Sequence, residues 1–525
     1  MDQLRFRFKE KTAVDDFTKL MVNRMRRSVP REWLLSAGYM RDFDPALIIK
    51  ALEHLRPDNL RLMLVSPEGT WDKTEKWFGT RYSVEPIPAE FMSELAKSVT
   101  STASDRPAEF RLPRDNPFLP ANTEVKQGRT TRSGEKLLPE IVRDDERART
   151  WWMDNSFGVP KAYAIALLKS PLLLGSAENT TKLYLLIQLV EDRLLDSAYE
   201  AQLSGLVYAI SSEACGLRVY VGGYHDKIAK LLELIMTTIK DLEIQEGRFK
   251  IIKDDATDSY HNGDFLVPYE QTMTCTGGLT TEKTVSLAEQ AAQLPGIDIE
   301  SLREFKSVFL SQFHIELYAH GNLDRDDARN LTAIIESTLS PSVLPQADWP
   351  VTRSLIFPPG RKYRYEKTLA DAAEVNNCVE YWIYTGARID TGVRARTSLL
   401  CQMMRKTAFD WLRTKLKLGY VVFANSRLSY ATRGMSLLVQ GEKSCRYMER
   451  CIEAFLKTYA RWLTKTTDEA FEAEKRSLVA RITRKPKNMY GEFEEYWDCV
   501  RGQHYKFEHG RFAGLVTEQG SARIC

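Results

Sequence analysis

The chain has 525 residues, of which 43% are hydrophobic and 28% are charged, as in an ordinary globular protein. The net charge is only +3 and no long Lys/Arg block occurs, which argues against a nucleic-acid or membrane partner. The longest apolar runs, such as Leu183–Val190, are far shorter than the roughly 18 residues of a membrane-spanning helix. The charged N-terminus and eight scattered cysteines without a C-x-x-C pair are typical of a cytoplasmic protein with reduced thiols.

Residues 1–96 are interpreted as the end of a domain rather than a whole one. A helical pattern covers Ala46–Leu55, and the alternation of Leu60, Leu62 and Leu64 with other residues predicts a half-buried strand. Residues 97–150 differ, because Ser, Thr, Pro and charged residues dominate them. Such a segment is too polar for a core and too proline-rich for a long helix, so we predict an extended linker.

Helical and strand periodicities return at residue 151. In residues 151–335 they predict the strands Ala162–Leu168, Leu217–Val221 and Phe313–Asn322, and the helices Lys182–Leu206 and Asp226–Leu242. In residues 336–525 they predict the strands Val379–Tyr384, Tyr420–Phe423 and Met435–Val439, and the helices Ser398–Lys415, Ser444–Trp462 and Thr467–Ile482. Strands interleaved with paired helices, without strict βαβ spacing, indicate an α+β fold with antiparallel or mixed sheets and helices on one face.

These two ranges repeat each other. Gly205 matches Gly419 and Gly223 matches Gly441, at separations of 214 and 218 residues, which indicates tandem homologous modules rather than a short solenoid repeat. The counterpart of the closing strand Phe313–Asn322 would lie near residue 530, beyond the last residue of the sequence. We therefore expect the final module to lack its closing strand, and the chain to be truncated at both ends.

Ordered landmarks along the chain resemble the insulin-degrading enzyme (insulysin/pitrilysin) family of inverzincin metallopeptidases, most closely its fungal pheromone-processing members. The landmarks are Arg5–Lys11, Leu55–Arg61, Glu75–Tyr82, Leu112–Phe118, Gly223–Lys227, His320–Asn322, Leu412–Lys415, Leu418–Tyr420, Lys485–Lys487 and Glu495–Trp497. The resemblance implies four homologous modules around a peptide chamber. Residues 1–96 would end the second module, 97–150 would form the linker, 151–335 the third module and 336–525 most of the fourth.

The family holds zinc with an H-x-x-E-H motif and a distal Glu, and the Glu between the two histidines activates a water molecule. The seven histidines of this chain include no such pair. The resemblance thus implies zinc for a complete family enzyme. It predicts no zinc ligands or catalytic base in this chain, which we expect to be inactive alone.

Arg413 and Tyr420 are the main functional candidates that the resemblance implies, as substrate-binding residues that reach toward the metal site. A guanidinium can orient a peptide carbonyl, and a phenol can donate to a developing oxyanion. The alternative is structural, with Arg413 at a helix C-terminus and Tyr420 at the start of a core strand. The comparable places in the preceding module hold Tyr199 and Leu206.

A basic cluster resembles part of an anion-binding chamber wall in the family; its members are Arg481, Arg484, Lys485 and Lys487. The alternative is a solvated helix end broken by Pro486. Three histidines are assigned structural places: His225 at a solvated or capping position, His261 on a helix surface, and His320 in a strand-end turn.

The sequence leaves three hypotheses about function. The first is the substrate-chamber half of a zinc metalloendopeptidase acting on peptides, partnered by a catalytic N-terminal half or related subunit. The second is a metal-free binding or scaffold protein that pairs with an active relative, and self-association into a homo-oligomer is compatible with both. The third is a non-functional truncation product with an exposed sheet edge.

Overall fold

This computed structural model describes residues 1–27, 29–100, 114–126, 137–358, 360–505, 507 and 509–518. The helices are α1 (Asp2–Arg7), α2 (Val14–Met25), α3 (Pro45–Leu52), α4 (Ala89–Thr100), α5 (Ala177–Leu203), α6 (Ile228–Asp241), α7 (Glu246–Gly263), α8 (Pro268–Leu279), α9 (Leu287–Gln293), α10 (Ile299–Ser311), α11 (Arg325–Leu339), α12 (Thr391–Ala408), α13 (Cys445–Leu463), α14 (Asp468–Ile482), α15 (Met489–Arg501) and α16 (His509–Thr517). The strands are β1 (Lys73–Thr74), β2 (Arg81–Tyr82), β3 (Glu140–Asp144), β4 (Ala148–Asp154), β5 (Lys161–Lys169), β6 (Val207–Glu213), β7 (Gly216–Tyr224), β8 (His314–Gly321), β9 (Asn377–Ala387), β10 (Val421–Leu428) and β11 (Thr432–Gly441).

One of two compact units comprises Asp2–Arg7 and Leu20–Asn116. It contains the β1–β2 ladder of two residue pairs, and none of its described residues is buried. The strand predicted at Leu60–Leu64 is wrong, because these residues have no ladder partner and their leucines are 43–79% exposed. Alternation alone does not make a strand when no neighbour satisfies the backbone groups.

The other unit comprises Met1, Phe8–Lys19 and Pro117–Cys525 and holds two larger sheets. The first has six strands in the order β3-β4-β8-β5-β7-β6, and only the β4–β8 pair is parallel. Helices α5, α6 and α11 cover one face, as expected for the α+β fold. In addition, α15 covers the second face with Met489, Phe493 and Trp497.

The end of the predicted linker forms strands instead of an extended connection. Residues 140–144 are β3, and residues 148–150 begin β4. β3 lies at the edge of its sheet, where polar side chains can reach solvent or a neighbouring helix. Its Arg143 donates two hydrogen bonds to the Glu336 carboxylate of α11, the shorter at 2.7 Å. The polar composition of this segment therefore did not indicate a strand. The parts of the linker at 101–113 and 127–136 lie outside the described residues, and the remaining module boundaries stay predictions.

The second sheet has three antiparallel strands in the order β10-β11-β9, with α12 and α13 packed against it. The predicted strands and helices of residues 379–482 are confirmed. The order β10-β11-β9 repeats the order β6-β7-β5 of the first sheet. Gly223 pairs with Ala162 just as Gly441 pairs with Asn377, which confirms tandem α+β units. Within the described parts of the chain, no helix combines the length and apolarity needed to cross a bilayer.

Candidate functional site

Arg413 lies on an irregular helical turn. Helix α12 continues into a π-helix over Phe409–Lys415, where Leu416 N–H donates to the carbonyl of Trp411 at 3.0 Å. The next bond runs from Leu418 N–H to the carbonyl of Leu412 at 3.1 Å, so the wide turn persists to the helix end. π-helical turns are rare and are frequent at functional sites. The prediction of a helix here is confirmed, but its C-terminal turn is wider than the periodicity indicated.

The turn that leads to Tyr420 is longer than its counterpart in the first sheet. There, the left-handed residue Gly205 (φ +79°) lies two residues before Val207, the first residue of β6. Here, the left-handed residue is Lys417 (φ 48°), and it lies four residues before Val421, the first residue of β10. In the first sheet the residue directly before β6 is Leu206, which is buried, whereas Tyr420 directly before β10 is exposed. The shared fold therefore does not require an exposed tyrosine at this place.

The side chains of Arg413 and Tyr420 stack on each other. The Arg413 Cζ atom lies 4.4 Å from the Tyr420 ring centroid and 4.7 Å from that of Phe409. Tyr420 is 82% exposed, whereas Leu206 at the comparable place is 1% exposed. Sequence reasoning missed Phe409, although its position four residues before Arg413 placed it on the same side of the helix.

This stack leaves hydrogen-bonding groups available to a ligand. Within the described residues, no hydrogen bond or ion pair is made by the Arg413 guanidinium, and none by the Tyr420 hydroxyl. A guanidinium that stacks on aromatic rings keeps the N–H donors at its edge free to bind a ligand. Because the stacking already orders the side chain, little conformational entropy is lost when the ligand binds. The arrangement can therefore donate to a carbonyl or carboxylate oxygen.

The basic cluster divides in the structure. Arg481 and Arg484 line a cavity of about 480 Å³, whereas Lys485 and Lys487 are exposed and do not line it. The same cavity is lined by three arginines from β9–α12 and β11 that sequence reasoning missed; they are Arg388, Arg394 and Arg433. They lie far apart in the sequence, so no local pattern could have grouped them.

Burial and mutual repulsion act on these arginines. Burial, with smaller contributions from Arg394 and Arg388, lowers the pKa of Arg433 to about 10. Burial also lowers the pKa values of Arg388 and Arg394. Arg433 is 7% exposed, and its Nε atom has no hydrogen-bond partner in the described part of the chain. Two carboxylates, Glu495 and Asp498, face the five arginines, so the cavity has excess positive charge.

The structure bears on all three histidine predictions. The prediction for His320 is wrong: it lies within β8, is fully buried beneath α15, and its Nε2 atom is 3.3 Å from Glu492. His225 is half-buried at a short 3₁₀ turn, where its ring contacts Asn322 at 3.0 Å. His261 is exposed on α7, as predicted. Among the described residues, no three His, Cys, Asp or Glu side chains are grouped so that they could hold a metal ion.

Comparison with known families identifies the larger group to which this fold belongs. Residues 6–293, more than half of the chain, match the family model described as the middle or third domain of peptidase M16. The chain belongs to the M16 peptidase family. A second model, for the C-terminal lobe domain 4 of PQQ synthase PqqF-like proteins, matches residues 399–497.

Individual M16 relatives match almost the entire chain. It is 31% identical to the insulin-degrading enzyme of Bos taurus over 523 residues, covering 97% of this chain and 49% of that protein. Identity is 29% to the putative zinc protease mug138 of Schizosaccharomyces pombe, covering 97% of this chain and 52% of that protein. The sequence identity to the A-factor-processing enzyme of Saccharomyces cerevisiae is 27%, covering 98% of this chain and 50% of that protein.

The fold of the M16 chain also matches a solved structure. The crystal structure of pitrilysin superimposes with a TM-score of 0.76 at 19% sequence identity, covering 100% of this chain and 54% of that one. The chain thus spans about half the length of the curated relatives that it matches.

Proposed function

We propose that this chain is the substrate-chamber half of an insulin-degrading-enzyme-like peptidase, and that Arg413 and Tyr420 contact the bound peptide. The observation that carries the proposal is the exposed stack of these two side chains on a turn lengthened beyond its counterpart. Core packing explains neither the exposure of Tyr420 nor the added length. This disfavours the alternative in which Arg413 only ends a helix and Tyr420 only starts a core strand.

In this proposal each residue has a separate role. The Arg413 guanidinium donates to a carbonyl of the extended substrate and orients it. The Tyr420 hydroxyl donates to the oxygen on which negative charge develops. Zinc would activate the attacking water in the complete enzyme. We assign its ligands to a catalytic half, since the sequence given has no H-x-x-E-H motif.

Peptide binding by this chain alone tests the roles of the stacked pair. The assay measures fluorescence anisotropy of a labelled insulin B chain, a peptide chosen because relatives are named for insulin degradation. Arg413→Ala and Tyr420→Ala are each expected to weaken binding about tenfold, since each removes one donor or stacking contact. Arg461→Ala and Tyr447→Ala, which alter exposed residues of α13, are the matched controls and are expected to have no effect. Equal affinities for all four variants would exclude the proposed contacts.

Reconstitution separates a peptidase half from a scaffold. The chain is mixed with the N-terminal half of the human insulin-degrading enzyme, and cleavage of a quenched peptide is followed. Turnover that requires both halves and falls with Tyr420→Phe supports the proposal. Tight association of the halves without turnover would instead favour the metal-free binding partner.

We also propose that the arginine-lined cavity binds a polyvalent anion. The excess of guanidinium groups over carboxylates in the cavity lining supports it, and so does the burial of Arg433, because a bound anion would supply the counter-charge that these cations lack. Inorganic triphosphate is the probe, and calorimetry measures its affinity at several salt concentrations. Arg433→Gln and Arg484→Gln are expected to weaken binding about tenfold. Lys487→Gln, which alters an exposed residue outside the cavity, should leave it unchanged. An equal effect of Lys487→Gln would indicate only a solvated basic helix end.

A further inference from the structure

The six-stranded sheet has two outer strands, and they differ in how their outer edges are protected. β3 carries charges at three of its five positions, namely Glu140, Arg143 and Asp144. Charged side chains of this kind discourage a further strand from pairing with an edge. β6, the outer strand on the other side, has a single charge, Glu213, at its last position, and contains neither lysine nor proline. Its edge therefore lacks the usual protection against pairing.

The backbone of β6 has hydrogen-bonding groups available on its outer side. The strand pairs with β7 in an antiparallel ladder, in which every second residue turns its N–H and C=O away from the partner. Within the described residues, the backbone groups of Val207–Glu213 make no hydrogen bonds other than those of this ladder. The equivalent strand β10 is also outermost in the second sheet. The open edge is thus a property of the repeated topology.

A cavity of about 510 Å³ lies directly beside this edge. Residues of α5 and α7 form two of its walls, and Tyr208 and Ala209 of β6 form the third side. Tyr208 and Ile210 both pack against the core that the helices cover, so this face of β6 is the one that borders the cavity. Because side chains alternate along a strand, a strand paired with β6 would direct every second side chain toward the cavity.

The lining of the cavity is acidic. Asp192 of α5 is already paired with Arg248 of α7, whose Nε donates to its carboxylate at 3.0 Å. Glu191 and Asp255 line the same cavity and make no hydrogen bond or ion pair within the described residues. Burial raises the pKa of Glu191, as expected for a carboxylate that loses water without gaining a cation. The cavity thus offers two carboxylates to a cation from outside.

We propose that β6 and this cavity together bind an extended basic segment of a polypeptide, which adds a strand to the sheet and places a Lys or Arg side chain beside Glu191 and Asp255. The strand edge supplies backbone hydrogen bonds, and the two carboxylates select the side chain. Leu195 lines the cavity and is 63% exposed, so an apolar residue two positions from the basic one has a surface to cover. Opposite charges favour this occupant over an acidic or neutral segment.

The probe is a fluorescein-labelled heptapeptide, Thr-Val-Thr-Arg-Thr-Val-Thr, whose Val and Arg side chains share one face of a strand. Anisotropy measured with the unmodified full chain is expected to show saturable binding, together with slowed amide hydrogen exchange in residues 207–213. The peptide with Glu in place of Arg should bind at least about tenfold more weakly, because like charges would then meet in the cavity.

Backbone methylation of the peptide tests the added strand separately from the charge. Two peptides are compared, each N-methylated at one set of alternate residues. Methylation of one set should abolish binding and methylation of the other should not, because only one set of N–H groups faces β6. Binding through the basic side chain alone would be insensitive to both.

Substitutions in the protein test the cavity. Glu191→Gln and Asp255→Asn are each expected to weaken binding of the Arg heptapeptide about fivefold, since each removes one unpaired carboxylate. Asp254→Asn is the matched control, because Asp254 is an exposed neighbour on α7 that does not line the cavity. It is expected to have no effect.

Four outcomes would overturn the proposal. They are absence of saturable binding, equal affinities of the Arg and Glu peptides, insensitivity to both methylation patterns, and equal effects of Asp254→Asn and Asp255→Asn. Protection of β6 in the free chain that is lost on dilution would also overturn it, because a second copy of the chain would then occupy the edge. The site lies in the first sheet and includes neither Arg413 nor Tyr420, so its failure would leave the proposed peptidase function untouched.

Discussion

Glu316→Ala is expected to lower the free energy of unfolding by about 3–5 kcal/mol. Glu316 lies in the middle of the six-stranded sheet, where its carboxylate binds the Lys169 ammonium and accepts from the Trp151 indole N–H at 2.8 Å. The Lys169 and Glu316 side chains are only 5% and 2% exposed. Removing the carboxylate leaves a buried ammonium without its counter-charge and a buried indole N–H without its acceptor. Urea denaturation followed by tryptophan fluorescence measures the loss.

Two controls separate the burial of this charge from a general effect of losing a glutamate. Glu300→Ala removes the partner of Arg303 from an exposed pair, and the expected loss is about 0–1 kcal/mol. The double variant Lys169→Met, Glu316→Gln removes both charges and keeps an acceptor for Trp151, so we expect it to be more stable than Glu316→Ala. If Glu316→Ala and Glu300→Ala had equal effects, the buried pair would not contribute as described.

Gly419→Ala should destabilise the three-stranded sheet by about 3 kcal/mol, the upper end of the usual range for overpacking. A Cβ atom at this position would lie 1.8 Å from the carbonyl oxygen of Gln440 and 2.9 Å from Cα of Gly441. Both clashing atoms belong to backbone, so the start of β10 has to move. Because Tyr420 is the next residue, we also expect its stacking on Arg413 to be lost. Urea denaturation and peptide anisotropy measure the two effects.

Gly514→Ala is the matched control for the same chemical change. No atom lies within 4 Å of a Cβ built at Gly514 in α16, and alanine favours a helix by about 1 kcal/mol over glycine. The free energy of unfolding of the Gly514→Ala protein should equal or exceed that of the parent. A Gly419→Ala protein as stable as the parent, with unchanged peptide affinity, would contradict the close backbone approach.

Helices and strands that are specified by the periodicity of their own side chains agree with the prediction. The helix of Asp226–Leu242 and the strand of Ala162–Leu168 appear as α6 and β5, because side-chain periodicity reports which face meets a core. Local patterns misled where backbone pairing decided the outcome. Leu60–Leu64 alternates without pairing, whereas the polar β3 forms a strand because β4 and α11 support it.

The candidate sites show the same division. Arg413 and Tyr420 were found through ordered motifs, but their stacking depends on the π-helical turn and the left-handed Lys417. Only two members of the predicted basic cluster reach the cavity. Its other arginines come from β9–α12 and β11 and meet only when sheet and helices pack together.

The sequence by itself determined the α+β class, the tandem repeat and the membership in the M16 family. Periodicity, glycine spacing and motif order are properties of the linear order of residues, so they can be detected without knowing which segments come into contact. Only the tertiary structure decided the burial of the Lys169–Glu316 pair and the assembly of the arginine-lined cavity. Each of these depends on which distant segments become neighbours. That pairing is set by strand register and by the packing of helices on the sheets, which no short stretch of residues specifies.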